Sequence, residues 1–248
     1  MACVYIINVG ANSRHSSVAR SPHFINGSFV FTPFPCNGGR YVRPYPEICR
    51  PFIREVARVT HDDPDWRNLT YGDDCANRRA IALRRVVAGD VLLFWSMLWE
   101  NTGNAWADFT GVKGWFFVGA LRVSEVLSGG QRPGDASPED RARAEQNVHF
   151  SRGVLPTQHR VFIGDQRYSA LFNSAIDLGV YDPNGLVYRT MHAADKRAFM
   201  LNGRPRWSSS LRPCRAMWDL GIRQERNQAQ IVRDEILRDN DYDLLQGL

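Results

Sequence analysis

The sequence predicts an α/β fold of the α+β type, in which a mixed or barrel-like β-sheet carries flanking helices. Three observations lead to this fold class. The chain opens with a short apolar segment rich in valine and isoleucine, its middle contains two long segments of strand-forming residues, and helical periodicity occurs before and after those segments.

Length and composition bound the class of protein. The 248 residues can bury a full core, and we expect a single domain over residues 1–248. A hydrophobic fraction of 44% and a charged fraction of 23% exclude disordered and fibrous proteins. No apolar run approaches the ~18 residues of a membrane helix, and the first residues lack a basic, cleavable leader. We therefore expect a soluble, cytoplasmic protein without a membrane partner.

Five cysteines are scattered along the chain without a C-x-x-C pair or a zinc-type spacing with histidine. This pattern indicates a reducing compartment and no structural zinc. We predict neither a cofactor nor a bound metal.

The N-terminal region combines a strand, a polar loop and a hairpin. "CVYIINVG" ends at Gly10 and predicts a buried strand. The arginine-bearing segment 11–21 is either a functional loop or a mobile surface loop. Asn26-Gly27 then favours a hairpin turn that leads into "SFVFTPFP".

Two helices are predicted before the central strands. In "RPFIREVARVT", apolar residues recur every three or four positions, which predicts a helix over residues 50–60. Pro64 interrupts the next segment. A second helix is predicted through "CANRRAIALRRVVAG", with Asp73 or Asp74 as its N-cap and Gly89 as its stop.

The segments "DVLLFWSMLWE" and "GWFFVGALRVSEVL" are each long enough to cross a small sheet. Alternation along the first places Leu92, Phe94, Ser96 and Leu98 on one face and Leu93, Trp95, Met97 and Trp99 on the other. Because both faces are apolar, this strand is either buried on both sides or lines a barrel and a pocket at once.

The last third of the chain predicts further strands and two helices. Ser137 and Asp140 resemble a capping box before a short charged helix. "QHRVFIGDQRYSALF" and "LVYRT" indicate strands, "NGRPRWSSSLRPCRAMW" is arginine-rich and irregular, and "NQAQIVRDEILRDND" predicts a final helix.

The net charge of +5 and the pI of about 9.1 favour polyanionic partners. Nearly all of the positive charge is arginine, which suits bidentate phosphate or base-edge contacts. An arginine-rich composition also arises without nucleic-acid binding, so charge alone does not decide between these interpretations.

One polar cluster could carry chemistry. It contains His61, Asp62, Asp63, Asp65, Asp73 and Asp74. Acids beside a histidine can bind Mg²⁺ or serve as acid and base. Aspartates around a proline are also common helix and turn caps, which is the interpretation that we favour. No nucleophile elbow and no phosphate-binding glycine loop is present.

The aromatic residues are a second indication of function, because they could form a pocket for a base. A base pocket needs a flat aromatic partner, a few polar groups that read the base edge, and cations for phosphate. Trp95 and Trp99 share a strand face, and either role, core or base platform, fits them.

Several segments, taken in order, resemble the nucleotide-modification-associated domain family, third type. They are "SPHFINGSFVFTPFP", "THDDPDW", "GDVLLFWSMLW", "GWFFVGALRV", "RWSSSLRPCRAMW" and "RQERNQAQIV". Two departures concern a possible acidic role, because Asn12 stands where relatives tend to carry aspartate and Arg226 where they carry phenylalanine. The paired central strands are also similar to those of PUA-like domains such as the EVE and ASCH families, which read modified nucleotides.

The resemblance implies a protein that binds nucleic acid or a nucleotide, with DNA that carries modified bases as the expected partner. We expect Trp95 and Trp99 to provide stacking surface, and Arg14, Arg20, Arg204 and Arg206 to hold phosphate. Gln224 and Glu225 are expected as further polar lining, and His61, Asp63 and Asp65 as groups that read a base or orient a water.

Two alternatives remain. The protein could be an enzyme that acts on a base or nucleotide through His61, Asp63 and Asp65. It could also be a structural or partner-binding module, which would show an exposed apolar patch instead of nucleotide affinity.

Overall fold

The computed structural model describes residues 2–36, 41–77, 80–177, 200–201, 204–205 and 214–240. In chain order its strands are β1 Cys3–Asn8, β2 Ser21–His23, β3 Pro35–Cys36, β4 Arg43–Pro44, β5 Val59–Thr60, β6 Thr70–Asp74, β7 Val91–Asn101, β8 Phe109–Ser128, β9 His159–Gly164, β10 Ala170–Asp177, β11 Met200–Leu201, β12 Arg204–Pro205 and β13 Cys214–Asp219. Its α-helices are α1 Arg141–Gln146 and α2 Arg223–Asn240, and 3-10 helices span Glu47–Phe52, Ile81–Arg85, Trp106–Asp108, Pro133–Asp135 and Val148–Phe150. The described chain is mostly sheet with few helices, which confirms the α+β prediction.

Eight of the described strands form one mixed sheet. Its order is β13-β1-β7-β8-β9-β6, with β2 also paired to β7 and β10 to β8. Strand β7 is parallel to β1 and β2 and antiparallel to β8. The sheet is not a closed barrel, so the barrel-like form of the prediction is wrong and the PUA-like resemblance is not confirmed.

Strand β7 lies inside the sheet and separates two hydrophobic cores. Leu93, Trp95, Met97 and Trp99 pack in one core, to which α2 contributes Ala229, Val232 and Ile236. Leu92, Phe94 and Leu98 pack in the core on the other side. The alternation in the sequence therefore predicted the strand correctly, and of its two alternatives the structure shows burial on both faces.

The helix predicted over residues 50–60 is wrong. The chain forms the 3-10 helix Glu47–Phe52, then an extended residue at Ile53 and, after a turn, β5. Pro51 lies inside the 3-10 helix and has no backbone N–H to donate, so an α-helical ladder cannot run through it. Val56, which the helical pattern would bury, is 75% exposed.

The second helix predicted before β7 is also wrong. Asp73 and Asp74 belong to β6 instead of capping a helix, and the only helix described between β6 and β7 is the 3-10 helix Ile81–Arg85. Its buried apolar residues are spaced by three, at Ala80, Leu83 and Val86. This is the period of a 3-10 helix, not the 3.6 residues of an α-helix.

Most other local predictions are confirmed. The opening strand is β1, the turn at Gly27 has a left-handed φ of 86°, and the two helices of the last third are α1 and α2. Gly10 has a φ of 74°, and an added Cβ would lie 2.9 Å from the ring of Phe31. The segment "LVYRT" lies outside the described residues.

A small sheet of order β3-β5-β4 directly precedes the candidate-site loop along the chain. Its middle strand β5 ends at Thr60, whose hydroxyl donates to the carbonyl of Phe34 at 2.7 Å. The acidic segment predicted from the sequence begins at the next residue, so this sheet anchors its start. None of the described helices is long and apolar enough to cross a membrane.

Candidate functional site

The segment from His61 to Asp65 is a loop that connects β5 to β6. At its end, Asp65 and Thr70 exchange two backbone hydrogen bonds of 2.9 and 3.1 Å, and the peptide bond after Asp63 is cis. Along this loop, His61 and Asp63 belong to a buried cluster, whereas Asp62 and Asp65 line a neighbouring cleft.

His61, Asp63 and His149 form the buried cluster, which we call the histidine–aspartate cluster. The Nε2 atoms of His149 and His61 lie 3.3 and 3.8 Å from Oδ2 of Asp63. One nitrogen or oxygen atom from each of the three side chains lies within 4.8 Å of the other two. The Asp63 side chain is only 1% exposed, so two imidazoles face a carboxylate from which water is excluded.

Hydrogen bonds outside the cluster orient both imidazoles. Nδ1 of His61 lies 2.8 Å from the carbonyl oxygen of Tyr41. Because a carbonyl only accepts, Nδ1 of the neutral ring carries the proton, and Nε2 presents a lone pair towards Asp63. Nδ1 of His149 lies 2.9 Å from Nδ1 of His159, and one of these nitrogens donates to the other.

Gly72 in β6 holds the carboxylate of Asp63. Its backbone N–H donates to both carboxylate oxygens, at 3.1 and 2.9 Å. A Cβ at this position would overlap the imidazole of His149. Glycine therefore lets the strand backbone and the imidazole meet around the same carboxylate.

The 3-10 helix after α1 positions His149. Its N-cap residue Asn147 accepts the backbone N–H of His149 with its side-chain oxygen at 3.0 Å. The side-chain amide of Asn147 donates to the hydroxyl of Thr70 at 2.9 Å. His159 begins β9, where it pairs with Asp74 of β6. The cluster is thus tied to β6 and β9 of the main sheet.

Burial dominates the protonation of the cluster. It raises the pKa of Asp63 well above its usual value, which the nearby His61 and the N–H of Gly72 only partly offset. Burial lowers the pKa of His149 to about 4, and it also lowers the pKa of His61 and of His159. The three imidazoles are therefore neutral at pH 7 and can act as bases or metal ligands.

The cleft beside the cluster has a volume of about 610 Å³. Its aromatic lining consists of Phe29, Phe31 and Trp66, and its polar lining includes Arg43, Asp62, Asp65, Arg67, Asn68 and Gln146. The indole of Trp66 packs edge-to-face on Phe31 and Phe94, with ring centroids 5.9 and 5.2 Å apart. The volume of the cleft and the types of residue that line it are typical of ligand-binding sites.

The two acidic residues of the cleft have different surroundings. Asp65 accepts the backbone N–H groups of Arg67 and Asn68, both at 3.1 Å, and pairs with Arg43 at 3.2 Å. It therefore closes the turn, as expected of a capping aspartate. Burial, followed by the charge of Asp65, raises the pKa of Asp62 to about 6, so this carboxyl can give or take a proton near neutral pH.

A second feature combines two arginines with one indole. The guanidinium carbons of Arg20 and Arg54 lie 4.7 and 5.0 Å from the ring centroid of Trp106. Among the described residues, neither arginine forms an ion pair with a carboxylate. Two uncompensated cations on one ring form a positive surface that suits a phosphate.

The structure places Trp95 and Trp99 in the core. Their exposed fractions are 3% and 2%, and the ring of Trp95 packs on Trp115 with centroids 4.5 Å apart. A buried ring has no face open to a base, so these positions do not provide the stacking surface expected of them. The aromatic residues that border the cleft are others, Trp66 among them.

The remaining expected site residues are dispersed. Arg14 is exposed, and Glu225 at the start of α2 accepts the backbone N–H of Asp219 at 2.7 Å. Arg206 and the side chains of Arg204 and Gln224 lie outside the described residues. Of the expected residues, the structure brings His61 and Asp63 together in the cluster and places Asp65 in the neighbouring cleft.

Sequence reasoning missed His149, His159 and Trp66. His149 is 86 residues from Asp63, and no local motif marks it. Trp66 follows the "HDDPD" stretch directly, and that adjacency could have identified it. The two histidines could have been found only by pairing all six histidines of the chain with the acidic segment.

Comparison with known proteins gives one match. A family model described as nucleotide modification associated domain 3 matches residues 4–227. No curated protein and no solved structure matches the chain. The match covers most of the chain, including every residue of the cluster and the cleft.

Proposed function

Because the chain belongs to the nucleotide modification associated domain 3 family, we propose that it binds a nucleic acid or nucleotide and receives a modified base in the cleft beside Trp66. The family description connects the chain to modified nucleic-acid bases. The observation that carries the finer proposal is the lining of the cleft, where aromatic rings and polar groups border one volume of about 610 Å³.

The chemistry of the lining suits a base. Stacking of a base on an aromatic side chain contributes about 1–3 kcal/mol and needs no particular sequence. Asp62 and Asn68 offer acceptors and donors for the base edge. The indole N–H of Trp66 is buried and has no hydrogen-bond partner among the described residues. A ring nitrogen or carbonyl of a base is the kind of acceptor that this donor lacks.

Cations near the cleft suit the phosphate of the same ligand. Arg67 is exposed and lines the cleft. The cleft is also lined by Arg43, although this arginine is paired with Asp65 at 3.2 Å. We propose DNA with modified bases as the partner, because the family description connects the chain to nucleotide modification and the net charge of +5 favours a polyanion.

The proposal is tested at an exposed position of the cleft. Ile48 lines the cleft and is 65% exposed, so Ile48→Asp should leave the fold intact. An added carboxylate repels phosphate and replaces apolar contact, and we expect affinity for a modified-base oligonucleotide to fall about tenfold.

The matched control is Ile81→Asp. Ile81 is 51% exposed and does not line the cleft, so this variant adds the same charge elsewhere. Fluorescence anisotropy with labelled oligonucleotides would measure both affinities. Equal loss in the two variants would mean that charge alone matters and would refute binding in the cleft.

A second candidate function is an enzyme that acts on the base. It is favoured by the position of Asp62, whose pKa is raised to about 6 inside the cleft, one residue from the histidine–aspartate cluster. Mass spectrometry of nucleosides after incubation would detect turnover. For an enzyme, we expect Asp62→Asn to abolish turnover while oligonucleotide binding persists. Unchanged nucleosides with the wild-type protein would exclude this candidate for the substrates supplied.

A further inference from the structure

We propose that His61, Asp63 and His149 bind one Zn²⁺ ion or a similar divalent first-row transition-metal ion. This inference goes beyond the proposed function and does not depend on it, because a metal alone tests it. It also departs from the sequence-based prediction that no metal is bound.

Two hydrogen-bond acceptors face each other in the histidine–aspartate cluster. Nε2 of His61 carries a lone pair, since its Nδ1 donates to the carbonyl of Tyr41. This lone pair lies 3.8 Å from a carboxylate oxygen of Asp63. Two acceptors at this distance repel each other unless a cation or a proton lies between them. A metal ion satisfies both atoms at once.

A divalent ion would also balance the negative charge of the buried Asp63 carboxylate. The Asp63 side chain is 1% exposed, and among the described residues no arginine or lysine forms an ion pair with it. Its close partners are two imidazoles and the backbone N–H of Gly72. A buried carboxylate without a cation is unfavourable by several kcal/mol or takes up a proton. A divalent ion would supply the missing charge.

The separations between the ligand atoms are close to those of a tetrahedral zinc site. In tetrahedral zinc sites, nitrogen and oxygen ligands lie about 2.0–2.2 Å from the metal, which places neighbouring ligand atoms about 3.3–3.6 Å apart. The observed separations from Oδ2 of Asp63 are 3.3 Å to His149 and 3.8 Å to His61. The ligand nitrogens of His61 and His149 lie within 4.8 Å of each other, so side-chain shifts of up to about 1 Å would complete the geometry.

Hydrogen bonds outside the cluster fix the second ring nitrogen of each histidine. Histidines that bind metals usually donate this second N–H to a carboxylate, a backbone carbonyl or water. His61 uses the carbonyl of Tyr41, and His149 uses Nδ1 of His159. His159 is thus a positioning residue for His149. Two imidazoles and one carboxylate leave a further coordination position for water or a substrate oxygen.

The experiment begins with untagged, full-length protein, since a polyhistidine tag would itself bind metal. After dialysis against a chelator, Co²⁺ is titrated and its visible absorption bands are recorded, and Zn²⁺ is then added in competition. We expect saturation at about one Co²⁺ per chain, loss of the bands on addition of Zn²⁺, and a higher melting temperature of the metal-loaded protein. Inductively coupled plasma mass spectrometry gives the metal content independently.

Variants assign the ligands. We expect His149→Ala and His61→Ala each to weaken Co²⁺ binding by at least ~100-fold, and His159→Ala to weaken it by about 10–100-fold. His23→Ala is the matched control, because His23 is a half-buried histidine in β2 whose ring packs on Phe116. Circular dichroism shows whether each variant folds, and His61→Ala should be the better tolerated of the two ligand changes, because the side chain of His61 is 16% exposed and that of His149 only 5%.

Two results would overturn the proposal. One is a wild-type protein that binds no stoichiometric Co²⁺ or Zn²⁺ at micromolar concentrations. The other is a folded His61→Ala or His149→Ala variant that binds Co²⁺ as tightly as the His23→Ala control. Both results concern the metal alone, so nucleotide binding in the cleft could fail or hold independently of them.

Discussion

At the scale of single residues, His149 joins parts of the molecule that are distant in sequence. Its ring contacts Asp63, 86 residues earlier, and His159, ten residues later. Its burial lowers its pKa to about 4, which leaves a neutral imidazole at physiological pH. A neutral buried imidazole can accept a proton or bind a metal, and either role is consistent with its place in the histidine–aspartate cluster.

Part of this site could be predicted from residue types alone. The stretch "HDDPD" contains a histidine and three acids, and the structure divides them between the cluster and the cleft. The partner histidines could not be predicted, because they come from a short 3-10 helix and from β9, whose proximity depends on the sheet order. Trp95 and Trp99 were expected to stack on a base, although burial of this strand on both faces was the other alternative that its alternation allowed.

The thiol of Cys49 provides a pH test of the core. Burial raises its pKa from about 9 to about 12, and the side chain is fully buried. A group whose pKa is higher in the folded state stabilises the fold below the unfolded pKa, and this contribution is lost as the pH rises from 9 to 12. The free energy of unfolding should fall between pH 8 and pH 10.5 in both proteins. We expect this decrease to be about 2 kcal/mol smaller in Cys49→Ala than in the wild type.

Urea denaturation at the two pH values measures this difference. Cys36→Ala is the control, because the thiol of Cys36 is only half-buried and its titration should change stability less. An equal decline in the wild type and in Cys49→Ala would contradict the assignment of the buried thiol.

At the scale of elements, strand patterns were more informative than helix patterns. The runs that became β7 and β8 are long and apolar, and each finds partners on both sides. The two false helices were predicted from short apolar repeats. In one case Pro51 prevents an α-helical ladder, and in the other the buried residues follow a period of three. A window of about ten residues distinguishes these periods poorly.

Gly119 of β8 tests how an element shapes the cleft. An added Cβ would overlap the indole of Trp66 and lie 2.7 Å from the carbonyl oxygen of Ala170. We expect Gly119→Ala to lower the free energy of unfolding by about 1–3 kcal/mol, because a packed strand cannot accommodate the extra methyl group. Since the displaced indole borders the cleft, affinity for a modified-base oligonucleotide should fall as well.

Urea denaturation and oligonucleotide titration would measure the two effects. Gly134→Ala is the matched control, because an added Cβ there meets no atom within 4 Å. If Gly119→Ala matched this control in both measurements, the close packing of Trp66 on β8 would be wrong.

At the scale of the whole molecule, a mixed sheet carries a core on each face, and the candidate site lies beside the core that contains Phe31 and Phe94. The family match over residues 4–227 spans both cores. That residues 1–248 form a single domain stays a prediction. The arginine-rich composition supports the proposed polyanionic partner, and the arginine pair on Trp106 is a positive surface that suits its phosphate groups.

If the cleft receives a base, the base contributes to the binding free energy in addition to the phosphate. Phosphate contacts weaken steeply with added salt because counterions are released on binding, whereas base stacking depends on salt only weakly. Salt dependence therefore separates the contribution of the cleft from that of the arginines.

The most direct test is the binding of short oligonucleotides, single- and double-stranded, plain and with modified cytosine or adenine, at two salt concentrations. The account predicts tighter binding of one modified oligonucleotide than of its plain counterpart, with a preference that persists when the salt concentration is raised. Equal binding of modified and plain oligonucleotides, with affinity that disappears at the higher salt concentration, would contradict it.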